Sequence, residues 1–210
     1  MQKNKMNEIF WLFILSGVFG VILENIFCLI KHGHFESRAG VLYGPFNLVY
    51  ALAGLLLVLV SVKINPKRDR YLFLLFALLG GCLEFILSYL QEMVFDTVSW
   101  NYSATTFNIY GRTNLLYCLM WGAAALFFVR DIYPLIKKFA GRLNSRKGRI
   151  FTKLTILVIT LDLILSFGAV YRYNQRYQQV PAQGITEKLL DKYYDDNFIE
   201  RKFPNMVHAN

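Results

Sequence analysis

Two glutamates, Glu24 and Glu84, stand inside long apolar runs. An ionisable group there costs about 2.5–3.5 kcal/mol on insertion scales, so it faces protein or water rather than acyl chains. Ser16 and Gly20 precede Glu24 at intervals of four residues. Gly80, Glu84, Ser88 and Glu92 follow the same interval. A spacing of four lays each set on one helical face, and glycine there lets another helix approach closely. The pattern predicts a polar site between the first and third apolar segments. Two carboxylates in one site could act as an acid and base pair. The structural alternative is that each pairs with Arg38, Arg112, a tyrosine or an asparagine and fastens the bundle.

The links between the apolar runs carry the remaining candidates. Arg38 follows Glu24, and Arg112 follows Glu84. An arginine entering from the rim can supply charge and bidentate hydrogen bonds to a buried carboxylate. The expectation is therefore a Glu84–Arg112 cluster with Glu24–Arg38 as its counterpart. Asn108, Asn47 and Asn114 add amides, while Trp100 and Tyr102 suit the membrane–water interface as aromatic anchors. Asp162 lies in the last apolar run with Ser166 one turn on, and pairing with another span or with Arg172 is expected. His32, His34 and Glu36 alternate in a link, a poor metal pattern, so no metal site is expected. The sequence holds no G-x-x-x-x-G-K-[ST], no H-E-x-x-H and no G-x-S-x-G. It thus carries no P-loop of its own and no recognisable catalytic motif, and no cofactor is expected.

The elements that position these residues are set by composition. Of 210 residues, 55% are hydrophobic, 18 are Phe and only 18% are charged, against roughly a quarter charged in soluble domains. Apolar residues run continuously instead of in stripes, which makes lipid their solvent. About five spans follow, at 9–30, 45–62, 71–95, 114–136 and 150–171, with Pro45 placed in the first turn of the second. Sequences of this kind satisfy their backbone in lipid as helices, so the fold class is all-α, a polytopic helical membrane protein. Residues 1–173 form the transmembrane domain and 174–210 a polar tail, in which Ile185–Phe203 is expected to be one amphipathic helix. Lys3 and Lys5 before an apolar run could mark a signal peptide. Glu24 and Asn25 stand where a small-residue cleavage site belongs, so the first run is read as a retained span. The odd set Cys28, Cys82 and Cys118 lies in apolar segments, without disulfide or zinc spacing.

The net charge of +9 does not point to nucleic acid, because the basic residues cluster at the ends of apolar runs. Lys3 and Lys5, then Lys63, Lys67, Arg68 and Arg70, then Lys137, Lys138, Arg142, Arg146, Lys147, Arg149 and Lys153 fall on one side. Lys31, Arg38 and Arg112 are all that the other two links hold. This bias predicts a cytoplasmic N-terminus and an extracellular tail.

The first two spans resemble the next two. Gly20 and Leu23-Glu24 match Gly80 and Leu83-Glu84. Gly44-x-x-Asn47-Leu48-x-Tyr50 matches Gly111-x-x-Asn114-Leu115-x-Tyr117. Two matches in the same order predict a duplicated helical hairpin, parallel in the membrane.

At these residues the chain resembles the bacterial membrane proteins grouped as ABC-transporter type IV. The strings that carry the resemblance are Leu23-Glu24, Arg38, Gly40-Val41-Leu42-Tyr43-Gly44-Pro45-Phe46-Asn47 with Tyr50, and Leu83-Glu84. They continue as Trp100-x-Tyr102-Ser103, Asn108-x-x-Gly111-Arg112, Trp121-Gly122 and the tail's Phe203-Pro204-Asn205-Met206. The chain departs from the family pattern at Leu48, Ala51 and Asn101. The resemblance implies a permease-like plasma-membrane subunit in the lipid bilayer, a separate cytoplasmic ATPase docked on the basic links, chiefly 137–149, and room for a homo-oligomer. Glu24, Glu84, Arg38, Asn108 and Arg112 would line or gate an outward polar site. Two rival readings remain: an intramembrane enzyme acting on lipid or peptide, and a non-catalytic sensor or assembly factor.

Overall fold

The computed structural model describes residues 2–64 and 68–209. Lys67 and the side chains of Lys3 and His32 lie outside the described residues. The chain is helical and multi-pass. Helices α1 (Gln2–His32), α2 (Leu48–Ile64), α3 (Asp69–Phe95) and α4 (Leu115–Phe127) are followed by a π-helical turn, Phe128–Ile132. Then come α5 (Tyr133–Arg142), α6 (Arg146–Tyr177) and two short helices, α7 (Ile185–Tyr193) and α8 (Asp196–Lys202). Two-residue strands β1 (Thr97–Val98) and β4 (Val207–His208) pair antiparallel, as do β2 (Asn108–Ile109) and β3 (Thr113–Asn114).

Among the described residues, four stretches are long and apolar enough to cross a membrane: Lys5–Lys31, Asp69–Phe95, Leu115–Arg142 and Arg146–Tyr177. Helix α2 is apolar but has 17 residues, which at 1.5 Å per residue is about 25 Å. It starts at Leu48 and not at Pro45. The Asn47 side chain accepts the Val49 N–H at 2.9 Å, while Gly40 donates to the Phe46 carbonyl at 2.8 Å. That closed turn holds Pro45 outside the helix. The fourth span continues beyond residue 136 to Arg142. Pro134 has no N–H to give, and the ladder widens one turn earlier, where Tyr133 N–H reaches the Phe128 carbonyl. Helix α6 likewise runs past the expected limit at 171, capped at its start by Ser145, whose hydroxyl accepts the Gly148 N–H at 3.1 Å.

Helix α1 packs along α2, and α3 along α4. Glycines set the closeness of both pairs. A Cβ on Gly20 would run into the Tyr50 ring, and one on Gly80 into Trp121. One apolar core joins Trp11, Ile14, Val41, Phe46, Ala51 and Ala140. A second joins Leu12 and Val58 to Phe128 and Ile136, so α5 closes over the first hairpin. A third, of Leu57, Leu72, Phe76 and Ala125, ties the two hairpins together.

The segments 33–47 and 96–113 lie at one end of the bundle, here the loop end, and the tail folds over it. Leu42, Ala169, Tyr173 and Ile199 form its core, with Phe203 and Met206 packed alongside. The tail is not one helix. Asp195 breaks it, because its carboxylate accepts the Phe198 N–H at 2.8 Å and starts α8 afresh. Arg172 holds Asp191 through two hydrogen bonds of 2.8 and 2.9 Å, and Arg176 bonds Asp191 and Asp196 at 2.6 and 2.7 Å.

Candidate functional site

The two intramembrane glutamates are each bonded to a phenol. Tyr50 of α2 donates a short hydrogen bond to Glu24 Oε2. Tyr102, from the second loop, donates to Glu84 Oε1 at 2.8 Å, and the Thr113 hydroxyl donates to Oε2 at 2.9 Å. Glu84 is 6% exposed, so these donors replace the water it lacks. Trp121 stands beside the same carboxylate.

Aromatic rings join the two glutamates. Tyr50 and Trp121 lie with centroids 5.8 Å apart, and Tyr102 and Tyr117 4.5 Å apart. One chain of groups therefore runs Arg38–Glu24–Tyr50–Trp121–Glu84–Tyr102–Tyr117 across the junction of the hairpins. The expected contact between α1 and α3 is thus made through α2, α4 and the loop. Burial, and then the Glu84 carboxylate, push the Tyr102 phenol well above the ordinary tyrosine range. It is a hydrogen-bond donor and not an anion.

The arginines behave differently from each other. Arg38 Nε lies 3.8 Å from Glu24 Oε1, while its Nη2 bonds Glu36 at 2.7 Å and its Nε faces Cys28 Sγ at 3.1 Å. Arg112 does not touch Glu84. Its Nη2 bonds Glu92 at 2.5 Å and its Nη1 bonds Ser88 at 3.2 Å, with the guanidinium over the Tyr89 ring. Arg112 and Glu84 are thus not directly paired: Arg112 is bonded to Ser88 and Glu92, one and two turns further along the face that carries Glu84. Glu84 has no need of a cation, because three neutral side chains surround it and Ser88 stands between.

The remaining candidates shape the loops. Asn108 donates to the Thr105 carbonyl at 2.7 Å and accepts from Gly111 N–H at 3.0 Å. Asn47 caps α2. Asn114 caps α4 through Tyr117 N–H at 2.9 Å and donates to Thr105 Oγ1 at 2.8 Å. The matching Asn-Leu-x-Tyr strings are thus helix starts. Trp100 Nε1 donates to the Arg112 carbonyl at 2.9 Å, and Tyr102 serves Glu84, so both side chains have polar partners inside the protein. Asp162 lies apart from the glutamates. It accepts Tyr43 N–H at 3.1 and 3.3 Å and the Ser166 hydroxyl at 3.2 Å, pinning the first loop to α6. The expected partner Arg172 is taken by Asp191 instead. His34 and Glu36 bond to each other at 2.8 Å, and among the described residues no three His, Cys, Asp or Glu side chains gather as a metal site.

Tyr50, Thr113, Tyr117 and Trp121 belong to this site and were not picked out as functional by sequence reading. Tyr50 and Tyr117 ended the repeated string, which was the available signal. A family model covers residues 11–167, which includes both hairpins, the loops and most of α6. The chain belongs to the family described as "Putative ABC-transporter type IV". No curated protein and no solved structure matches it. The stretch shared with the ABC-transporter type IV family contains every group in the carboxylate–phenol chain. Phe203-Pro204-Asn205-Met206 lies beyond it, and its Phe203 and Met206 pack against the buried tail core.

Proposed function

We propose that this chain is the permease-like membrane subunit of an ABC-type assembly, in a plasma membrane, with its polar site toward the outer face. The carrying observation is the chain of hydrogen-bonded carboxylates and phenols at the junction of two hairpins, within a family of ABC-transporter type. Sealing alone is served by apolar contacts. Acceptors held by neutral donors at a junction of two packed units can exchange partners when those units move.

In this reading the spans number five, with α2 the shortest, and the two hairpins are parallel repeats. Their shared features are the Gly-x-x-x-Glu face and the asparagine that caps the return helix. The longer second loop alters the copy, supplying Tyr102 to Glu84 where Tyr50 serves Glu24. Residues 1–173 are the transmembrane domain, and 174–210 fold as an extracellular cap. Glu24, Glu84 and Arg38 line the site, with Arg112 and Asn108 holding the loop over it. The basic face of Lys137, Lys138 and Arg142 and the turn to Arg149 is the dock for a separate cytoplasmic ATPase.

Purification of the tagged chain from its native membrane in mild detergent tests this. A P-loop ATPase should co-purify, and charge reversal at Lys137, Lys138 and Arg142 should release it. Recovery of the chain without any nucleotide-binding subunit, under conditions that preserve its fold, overturns the proposal.

A further inference from the structure

The second loop contains an unusual surface. From Thr97 to Gly111 it has no charged residue. Its tip is the β2–β3 hairpin, closed by a turn in which Arg112 N–H reaches the Ile109 carbonyl at 3.0 Å. Tyr110 and Gly111 both have positive φ, +51° and +69°, and Phe107 has +55°. The left-handed region suits Gly and Asn, and bulky aromatic residues are outliers there. The three large apolar side chains of this tip are exposed: Phe107 is 78% exposed, Ile109 55% and Tyr110 87%. Water disfavours the exposure, and the backbone disfavours the residue types. A non-aqueous partner would relieve the first of these costs.

The surroundings identify it. The hairpin folds back beside α3, and the Tyr110 ring meets Phe85 edge-on with centroids 6.4 Å apart. Phe85 is ten residues before the end of α3, about 15 Å down its axis. Ile86, Tyr89, Leu90 and Met93 are exposed on the same helix. Measured from the basic residues Arg68 and Arg70, roughly 30 Å of hydrocarbon uses about 20 residues of α3 and ends near Tyr89. Phe85 and Tyr110 then fall just inside that boundary. Arg112, with its guanidinium over Tyr89 and its charge on Glu92, falls at headgroup level. Apolar, aromatic and charged groups thus succeed one another in the order of a bilayer interface.

We infer that the 107–110 hairpin tip is an interfacial membrane anchor, seated in the headgroup–acyl boundary at the loop end of α3. Its occupant is lipid. The anchor moors the same loop that delivers Tyr102 and Thr113 to Glu84, so the cover of the buried carboxylate is tied to the bilayer as well as to the bundle. The inference rests on the membrane-spanning fold and holds whether or not the chain transports anything.

Site-directed spin labelling tests it. In the full chain carrying Cys82→Ser, which removes the exposed native cysteine, Phe107→Cys, Tyr110→Cys and Lys188→Cys are each labelled with a nitroxide. The proteins are reconstituted into phosphatidylcholine–phosphatidylglycerol vesicles. Collisional relaxation by oxygen should exceed that by a water-soluble nickel chelate severalfold at 107 and 110, with the opposite order at 188. Greater nickel access at both hairpin positions overturns the anchor. So does spin–spin broadening at 107 or 110 that disappears on dilution with unlabelled protein, which would assign the surface to a second copy. Agreement between two independent positions guards against a local distortion at Tyr110.

Discussion

The Tyr50 hydroxyl of α2 is bonded to the Glu24 carboxylate of α1, one turn beyond the point where the Tyr50 ring lies flush on Gly20. Close approach and polar satisfaction are therefore one feature. The missing Cβ at Gly20 admits the ring, and the ring carries the donor to the glutamate.

Removing that donor leaves a half-buried carboxylate with Arg38 at 3.8 Å as its remaining polar partner here. Tyr50→Phe should destabilise the protein by about 1–3 kcal/mol. Glu24→Gln should relieve much of that loss in the double variant. Thermal unfolding in detergent provides the double-mutant cycle, and additive losses would dismiss the coupling.

Gly20→Val drives two methyl groups into the Tyr50 ring and should cost roughly 1–3 kcal/mol by overpacking. Gly141 is helical, and a Cβ there meets nothing within 4 Å. Gly141→Ala should be neutral or stabilise by about 0.5–1 kcal/mol. Only the Gly20 variant should lose melting temperature; equal losses would sink the steric account.

Arg112 should couple to Glu92 and not to Glu84. The Glu92 side chain is 38% exposed, so solvent screening limits the pair to about 0.5–1 kcal/mol. Cycles of Arg112→Ala with Glu92→Gln and with Glu84→Gln separate the two. A larger coupling to Glu84 would restore the pairing expected from sequence.

His208 makes docking of the tail sensitive to pH. Its ring stacks on Tyr177 at 3.6 Å and Tyr173 at 4.9 Å, and neither ring nitrogen has a hydrogen-bond partner. Burial holds the imidazole below its ordinary range, against the pull of Asp96, Asp196 and Glu200; of these, Asp196 is bonded to Arg176 on α6. The docked state then binds fewer protons than the undocked one, so docking stability rises with pH. It is fully present above about 6.5, the ordinary imidazole value, and is lost as pH falls below that toward the docked value. The protection of amides 203–209 against hydrogen exchange, corrected for the intrinsic pH dependence of exchange, should fall between pH 7 and 5, and His208→Phe should abolish that fall. Corrected protection that is independent of pH in the parent protein would reject the latch.

Orientation is tested by labelling intact cells with a membrane-impermeant thiol reagent in the Cys82→Ser background. His34→Cys and Lys188→Cys should react and Arg146→Cys should not. Reaction at 146 with silence at 34 reverses the proposed topology.

The sequence by itself determined the helical membrane fold and where its polar exceptions fall. Continuous apolar runs leave the backbone no other way to satisfy itself in lipid, and a glutamate inside such a run is visible without any structure. The four-residue spacing of Gly20 and Glu24, and of Gly80 and Glu84, likewise fixes a shared face through helix geometry alone. Only the tertiary structure decided what meets those faces. Tyr50 lies 26 residues from Glu24, Tyr102 18 from Glu84 and Trp121 41 from Gly80, and no local rule ranks one distant donor above another. Arginine looked like the natural partner because charge attracts charge. Packing instead seated Arg112 on Glu92, near the helix end where part of its charge stays in solvent, and left the buried Glu84 to hydroxyls that cost less to desolvate. The tail shows the same division. Its composition announced an amphipathic helix, but Asp195 found a free N–H to cap, Arg172 found Asp191, and the segment broke into two helices over the loop end.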